Sequence, residues 1–536
     1  MKFVLYGMPC AGKTTLLTTI AGKLRIVNGS SWLNEYSGGK FTSLSKKEKE
    51  QCRIKYTEYI ASITDEHIIS DGHYYFEDNV VFTEADGNIY DVFLYLYCEP
   101  TEILNRIKSS QKNQKYATLT EDAIEAWQDF EIEGLRSECH KRNKNFYVVK
   151  SEVITATDFS DFIDAIISGF SSYHLAVNLA EQIRKWYPEP CELNIVDGDK
   201  TFINEDSFRL CSEGYISKVF DGNFYTGYQG YCFEKESANI ALNYERLQSC
   251  TVNKLVWQRI AGENFVVLSA GITQIWERLQ QQFKIPYVIA SPHISADTKY
   301  YIGKILQDNG YYIKVYGDSK NDLYLLKEAN EGYLCLGKHI SRSLAKTDIS
   351  QISFIYDVKT FILEDNEDVS QEVAVCKSSS AVNGSRLALA HFELGRKLGN
   401  HLKQVLPSTN IPVIVLERGG RFFGDGLYIA FGGCLYPYNA KSDTAPIVKG
   451  NFVIIADSVI NTGNSILTLI TNLKKSNPNV KICIATNVIQ RDALAKLSEY
   501  SVFTVRVSDN KFVGKRQKKQ IGTTGPDTAD RLFNLL

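Results

Sequence analysis

Residues Lys2-Phe3-Val4-Leu5-Tyr6-Gly7-Met8-Pro9-Cys10-Ala11-Gly12-Lys13-Thr14-Thr15-Leu16-Leu17 decide how this chain is read. The apolar run 2–6 has the length of a buried strand, and it enters a glycine rather than a cleavable leader. A second glycine at 12 precedes Lys13, Thr14 and a helical pattern through Ile20. Strand, glycine turn and helix with the spacing GxxxxGK(S/T) make a cradle for phosphates. Backbone N–H groups freed by Gly7 and Gly12 converge on the oxyanions, and the helix start adds its positive dipole end. Lys13 is expected to neutralise the terminal phosphates, the Thr14 hydroxyl to ligate Mg²⁺, and Thr15 to complete the ATP-binding turn.

Working outward, short apolar runs alternate with amphipathic helical patterns along the chain: 67–70, 92–98, 146–149, 193–197, 265–268, 286–290, 312–316, 412–416, 452–456 and 481–485. Such alternation predicts an α/β protein with parallel sheets. At 536 residues the length predicts about three domains. We place them at 1–170, 171–365 and 366–536, with junctions near the Trp186–Pro190 stretch and the acidic run Glu364–Asp368. Sixty Lys plus Arg against 62 Asp plus Glu leave a net charge of −2, which excludes a chain-wide footprint for duplex nucleic acid. No apolar stretch approaches the roughly 18–20 residues of a membrane span. The twelve Cys are scattered without a CxxC pair, as in reduced cytoplasmic proteins.

In the first domain, strand 67–70 is followed by Asp71-Gly72-His73, and strand 90–98 by Glu99 to Ile107 with Arg106. This resembles the small P-loop kinases of the nucleoside, nucleotide and polynucleotide 5′-kinase group, over about 1–168. The resemblance implies that Asp71 coordinates Mg²⁺ water or accepts a hydroxyl proton, with Glu35 as a rival base. It also implies that Arg106, helped by Lys108, Lys112 and Lys115, clamps the transferring phosphoryl group.

A second site is dispersed over four motifs: Asp197-Gly198-Asp199-Lys200-Thr201 after strand 193–197, Ser269 after 265–268, Lys299, and Gly317-Asp318-Ser319-Lys320-Asn321-Asp322 after 312–316. Together they resemble the haloacid-dehalogenase-type phosphatases, in particular the phosphoserine-phosphatase-like branch, over about 175–340. The resemblance implies an aspartyl-phosphate on Asp197 and general acid–base work by Asp199 two residues on. It further implies phosphoryl hydrogen bonds from Ser269 and charge balance by Lys299, with Lys304 as the nearby alternative. Mg²⁺ would be held by Asp318, Asp322 and Asp197, with Asp199 as a further candidate ligand. An insertion at about 203–264 with Phe220, Phe224, Tyr225, Tyr228, Tyr231 and Phe233 resembles a cap over such a site. These aromatics are expected to be cap core rather than a stacking platform for bases.

Near the C-terminus, Phe452 to Ala456 lead into Asp457-Ser458-Val459-Ile460-Asn461-Thr462-Gly463-Asn464-Ser465, and 412–416 into Glu417-Arg418-Gly419-Gly420-Arg421. With Gly525-Pro526-Asp527 these resemble the type I phosphoribosyltransferases, closest to the uracil branch, over about 370–536. Implied are ribose contacts from Asp457, a 5-phosphate nest at Asn461, Thr462, Gly463, Asn464 and Ser465, and pyrophosphate contacts from Arg418 and Arg421. A base held near Asp527, phosphoribosyl pyrophosphate as substrate, and a homodimer option through this domain are implied as well. The chain departs from the wider fold in having Ser458 beside Asp457 where many relatives carry a second acid. It departs from the uracil branch at Thr523-Thr524-Gly525-Pro526, where a proline removes an N–H. The basic run Lys515–Lys519 reads as a solvated turn rather than a nucleic-acid contact.

Every site recognises a phosphate ester, so a multifunctional cytoplasmic enzyme acting on small-molecule nucleotides or nucleobases is the leading expectation. The alternatives are an end-repair kinase/phosphatase acting on nucleic-acid ends, and a nucleotide or phosphoribosyl pyrophosphate sensor gating one active domain.

Overall fold

A computed structural model describes the chain except residues 65, 77–78, 110–113, 153, 337–340, 345–346, 348–351, 357–359, 407–410, 443, 449–451, 479, 498 and 510–524. It divides into two compact units, Met1–Gly332 and Tyr333–Leu536. No helix among the described residues is long and apolar enough to cross a membrane.

The first unit begins with β1 (Lys2–Tyr6), α1 (Lys13–Thr18), β2 (Arg25–Val27), α2 (Gly29–Tyr36), α3 (Lys46–Ser62), β3 (Ile68–Asp71), the small hairpin β4 (Tyr75–Phe76) and β5 (Asn79–Val80), and α4 (Glu84–Ile89). It continues through β6 (Val92–Tyr97), α5 (Pro100–Ser109), α6 (Glu121–Arg142), β7 (Asn145–Lys150) and α7 (Ala156–Ile167). The sheet order is β2-β3-β1-β6-β7, with every pairing parallel. Helices cover both faces, which is why β6 reads as the unbroken run Val92-Phe93-Leu94-Tyr95-Leu96-Tyr97 and is buried throughout. The order puts β1 at the centre, so the Gly7–Lys13 turn leaves the middle of the sheet.

The same unit then builds a second parallel sheet. Its elements are α8 (Ser172–Trp186), β8 (Glu192–Val196), α9 (Ser207–Cys211), α10 (Gly227–Ser237), α11 (Lys254–Ile260), β9 (Phe265–Ser269), α12 (Thr273–Phe283), β10 (Val288–Ala290), α13 (Ala296–Asp308), β11 (Tyr312–Gly317) and α14 (Leu323–Glu328). Strands run β10-β9-β8-β11, all parallel. The insertion 203–264 carries α9, α10 and α11, and α10 docks on the free edge of the first sheet. There Val148 in β7 has its N–H bonded by Thr226 Oγ1 at 3.1 Å and its carbonyl by Gln229 Nε2 at 2.9 Å, so two side chains complete an edge that would otherwise be open. Tyr228 joins the first sheet's core against Phe162, and Phe224 packs on Tyr97. Of the expected cap aromatics, Phe224, Tyr228 and Tyr231 thus pack on the first sheet's layer, while Phe220 packs on Tyr225 and Phe233 within the insertion.

The boundary of the units falls within β12 (Glu331–Leu336), whose parallel partner is β13 (Ser353–Tyr356). Beyond come β14 (Thr360–Ile362), α15 (Ser370–Cys376), α16 (Ser385–Val405), β15 (Val413–Leu416), α17 (Arg421–Phe431), β16 (Leu435–Tyr438), β17 (Phe452–Ile460), α18 (Asn464–Ser476), β18 (Lys481–Gln490), α19 (Arg491–Lys496), β19 (Ser501–Ser508) and α20 (Thr528–Leu532). The sheet order is β14-β19-β18-β17-β15-β16, again parallel. Residues 360–362 pair with β19, so the assignment of 340–363 to the middle region is corrected for this strand. Three residues are too few to show a period, and only the ladder reveals where they belong.

Candidate functional site

In the first turn, a Cβ at Gly7 would meet the Leu96 carbonyl at 2.8 Å, so the close approach of β6 requires glycine. Lys13 is buried and donates from Nζ to the Gly7 and Met8 carbonyls at 2.5 and 3.3 Å. Burial lowers its pKa to about 8, against the opposing fields of Glu131 and Asp71. Arg106 reaches the same loop, donating from Nη1 to the Cys10 and Ala11 carbonyls at 3.2 and 2.9 Å and from Nε to Glu102 at 2.9 Å. Gly12 lies against that guanidinium, and Thr14 and Thr15 are exposed at the start of α1. Asp71 ends β3 with both carboxylate oxygens engaged, accepting the Gly29 N–H at 2.8 Å and the Asn28 amide at 3.2 Å. It thus anchors the start of α2 while its charge reaches Lys13. Glu35 and Lys108 are exposed, Lys115 lies over the Phe76 ring, and Lys112 falls outside the described residues.

Two residues of this site were missed. Glu131 on α6 is fully buried, accepts from the Tyr95 hydroxyl at 2.7 Å and the Tyr75 N–H at 2.9 Å, and is raised by burial. His73 has a buried Nδ1 without a partner and a pKa pushed down by burial and by Lys13. The available signal was an acid on the apolar face of α6, beside Ile124, Gln128, Ile132 and Leu135, all buried.

The second site gathers at the ends of β8, β9 and β11. After Asp197 the chain closes a tight turn through Phe202 N–H to the Asp197 carbonyl at 3.0 Å, with Lys200 at φ 59°. A Cβ at Gly198 would lie 2.2 Å from the Trp276 ring and 2.8 Å from Ser269 Oγ, so only glycine passes between them. Carboxylate oxygens of Asp197, Asp318 and Asp322 lie within 4.8 Å of one another. Lys299 Nζ donates to Asp197 Oδ1 and to Asp322 Oδ1, each at 2.6 Å, which selects Lys299 over Lys304. Burial opposes the Lys299 ammonium, but the two carboxylates hold its pKa above the ordinary value. Burial also raises Asp197 and Asp318, helped by their acidic neighbours.

The Asp199 carboxylate lies outside the group formed by Asp197, Asp318 and Asp322. The turn at 198–202 redirects it so that Oδ1 accepts the Ser207 N–H at 3.0 Å, and burial with Asp206 raises it well above the usual carboxylate range. Ser269 is 3% exposed and its Oγ accepts the Gly271 N–H at 3.0 Å. Three convergent carboxylates are a hard-oxygen donor set of the kind that suits Mg²⁺.

In the second unit a cavity of about 300 Å³ is lined by Asp457, Asn461, Ser465, Asn487, Arg506 and Asp527, among others. Asp457 does not end its strand. The β17–β18 ladder continues through Asp457↔Thr486 to Ile460↔Ile489, because β18 is long enough to pair with all of it. Burial raises Asp457 to about 7, opposed by the Ser458 and Val459 N–H groups and reinforced by Asp527. The neighbouring Ser458 is fully buried with Oγ 3.1 Å from His391 Nδ1, and both also line the cavity.

Asn461 accepts from Gln490 Nε2 at 3.2 Å, Thr462 Oγ1 accepts the Asn464 N–H at 3.5 Å, and Gly463 has φ 75° before α18. Arg418 is 57% exposed with Nη2 3.4 Å from Asp530. Arg421 is exposed near Glu417 and Asp425. Asp527 caps α20, accepting the Ala529 and Asp530 N–H groups at 2.8 and 3.2 Å. Residues 515–519, 523 and 524 fall outside the described residues.

No protein-family model and no curated protein match this chain. Solved structures show partial likeness. The AQ2163 protein from Aquifex aeolicus is 18% identical over 32% of this chain and 97% of its own, with a TM-score of 0.26. Shikimate kinase from Bacteroides thetaiotaomicron is 14% identical over 31% and 98%, with 0.23. Helicobacter pylori xanthine-guanine-hypoxanthine phosphoribosyltransferase is 19% identical over 22% and 81%, with 0.19.

Proposed function

We propose that this chain is a multifunctional enzyme of phosphate esters whose central site hydrolyses phosphomonoesters through an aspartyl-phosphate. The observation that carries this reading is the ammonium of Lys299 held 2.6 Å from both Asp197 and Asp322, with Asp318 completing the acidic group. An Asp197 carboxylate oxygen attacks phosphorus, the bond to the ester oxygen breaks, and Asp199 gives that oxygen its proton. Its raised pKa supplies the protonated form this step needs. Asp199, now ionised, takes a proton from water, which attacks the phosphoenzyme. The Asp197 oxygen leaves as phosphate is released, and Asp199 is again protonated. Lys299 and Ser269 hold the charge and the oxygens of the phosphoryl group. Mg²⁺ held by Asp197, Asp318 and Asp322 would supply further charge stabilisation.

The turn with Lys13 and Arg106 supports an ATP-dependent phosphoryl-transfer site, since two cations converge on one glycine loop. The Asp457 cavity supports a phosphoribosyl pyrophosphate site acting on a pyrimidine-like base. The full chain is assayed for aryl phosphate hydrolysis with and without Mg²⁺, and for transfer from radiolabelled ATP to nucleosides, nucleotides and oligonucleotide ends. Asp197→Asn removes the hydrolysis and Lys13→Ala removes the transfer. Hydrolysis that survives Asp197→Asn refutes the central assignment.

A further inference from the structure

We infer that Arg136, on helix α6 of the first sheet's layer, is a positioning residue for the acidic centre of the second sheet; this rests on the phosphomonoesterase reading above. Nothing in the motifs of either site points to it. Glu133, Arg136 and His140 lie three and four residues apart and share one face of α6. Arg136 is 1% exposed. Its Nη2 donates to the Phe224 carbonyl at 2.7 Å, its Nη1 donates to the Tyr324 hydroxyl, and its Nε stands 3.2 Å from Asp297 Oδ1. The Tyr324 hydroxyl also bonds Glu133 at 2.8 Å. Asp297, itself 1% exposed, takes a second contact from His140 Nε2 at 2.8 Å.

The two residues held by this guanidinium occupy matching places. Asp297 is two residues before Lys299 in the first turn of α13, and Tyr324 is two residues after Asp322 in the first turn of α14. One buried cation therefore ties together the helix starts that present the ammonium and one of the carboxylates. Glu133 adds a third tie, 3.5 Å from Lys320 in the Asp318–Asp322 loop. Two charge-assisted bonds of 2.6 Å from one ammonium require α13 and α14 to be placed to within a few tenths of an ångström, since such bonds weaken steeply with distance. Without Arg136 the Asp297 carboxylate keeps, among the described side chains, the His140 contact, and the helix starts lose their common partner.

The test uses the full chain with an aryl phosphate in the presence of Mg²⁺. Arg136→Met lowers kcat on the order of 10- to 100-fold, the range seen when residues behind a site's ligands are removed, with KM changed less than about threefold. Arg136→Lys, which keeps a charge at Asp297, recovers part of the loss. Tyr324→Phe deletes one oxygen without changing volume, and lowers kcat by about threefold or more; it decides the matter if Arg136→Met fails to fold. Wild-type kcat in Tyr324→Phe together with wild-type kcat or a pure KM effect in Arg136→Met overturns the inference. Asp197→Asn is run beside them: if it retains hydrolysis, the phosphomonoesterase reading fails rather than the role of Arg136.

Discussion

Replacing Asp457 by Asn is expected to stabilise the second unit at alkaline pH while removing its ligand chemistry. Asp457 is buried beside Asp527, and burial above all raises its pKa from 3.8 to about 7. That gap corresponds to roughly 4 kcal/mol held against the folded state once both states are ionised, and relaxation of the cavity reduces it to on the order of 2–4 kcal/mol. The sign follows from the folded pKa lying above the unfolded one. The wild type is most stable below the unfolded value and loses stability as pH rises through about 7. Asn stays neutral, so its advantage is about 2–4 kcal/mol at pH 8 and under about 1 kcal/mol at pH 4. All five Trp residues lie before residue 333, so fluorescence reports only the first unit. Hydrogen exchange of peptides covering β17 and β18 reads the second. Equal protection of wild type and Asp457→Asn at pH 8, or an equal gain at pH 4 and pH 8, refutes the reasoning. Phosphoribosyl pyrophosphate binding, measured alongside, is expected to disappear in Asp457→Asn.

Lys13, lowered to about 8 by burial, is only partly protonated at pH 8; a bound triphosphate restores its charge, so ATP binding takes up on the order of half a proton there and little at pH 6.5. Calorimetry in buffers of different ionisation enthalpy shows this, and Lys13→Met abolishes it; a buffer-independent enthalpy at pH 8 contradicts the placement of Lys13. Helices α16 and α17 cross on glycines, with a Cβ at Gly426 falling 2.0 Å from the Phe392 carbonyl and one at Gly395 2.0 Å from the Phe423 carbonyl. Gly426→Ala is expected to destabilise the second unit by about 1–3 kcal/mol, read by hydrogen exchange, with the tryptophan unfolding transition of the first unit unmoved. Arg531 is 1% exposed and donates to the carbonyls of Val375, Cys376, Lys377, Ser380 and Val382 and to Asn383 Oδ1. Arg531→Met leaves those groups unsatisfied, destabilises by about 3–5 kcal/mol, and is expected to open the 525–532 segment to protease before the rest of the chain.

The parallel α/β class, the glycine turn at 7–13 and the four dispersed motifs whose residues gather at the ends of β8, β9 and β11 were legible in one dimension. Unbroken apolar strands need two covered faces and the glycine turn has its own spacing, although what excludes a Cβ at Gly7 and Gly198 is Leu96 and Trp276, far along the chain. The strand Ser501–Ser508 alternates polar and apolar residues only from Thr504 onward, and Arg25–Val27 and Thr360–Ile362 are too short to carry a period. The length of β17 was misjudged because its continuation past Asp457 depends on the reach of β18, a partner the sequence does not name.

What required the tertiary structure is everything that depends on distance between segments far apart in the chain. Lys299 and Lys304 are equivalent by composition, and only packing of α13 against α8, α14 and β11 brings the first to two carboxylates. Asp199 and Asp197 are two residues apart, yet one turn at 198–202 gives them different partners, the Ser207 N–H for the first and Lys299 for the second. Glu131 and Arg136 sit on one ordinary amphipathic helix, yet the first bonds Tyr95 in the first sheet while the second pairs with Asp297 on α13 and Tyr324 on α14. Sequence by itself determined which residue types could do chemistry and roughly where strands present them. Folding decided which of those charges are buried together, because the field at each group is set by neighbours in space and by the water they exclude.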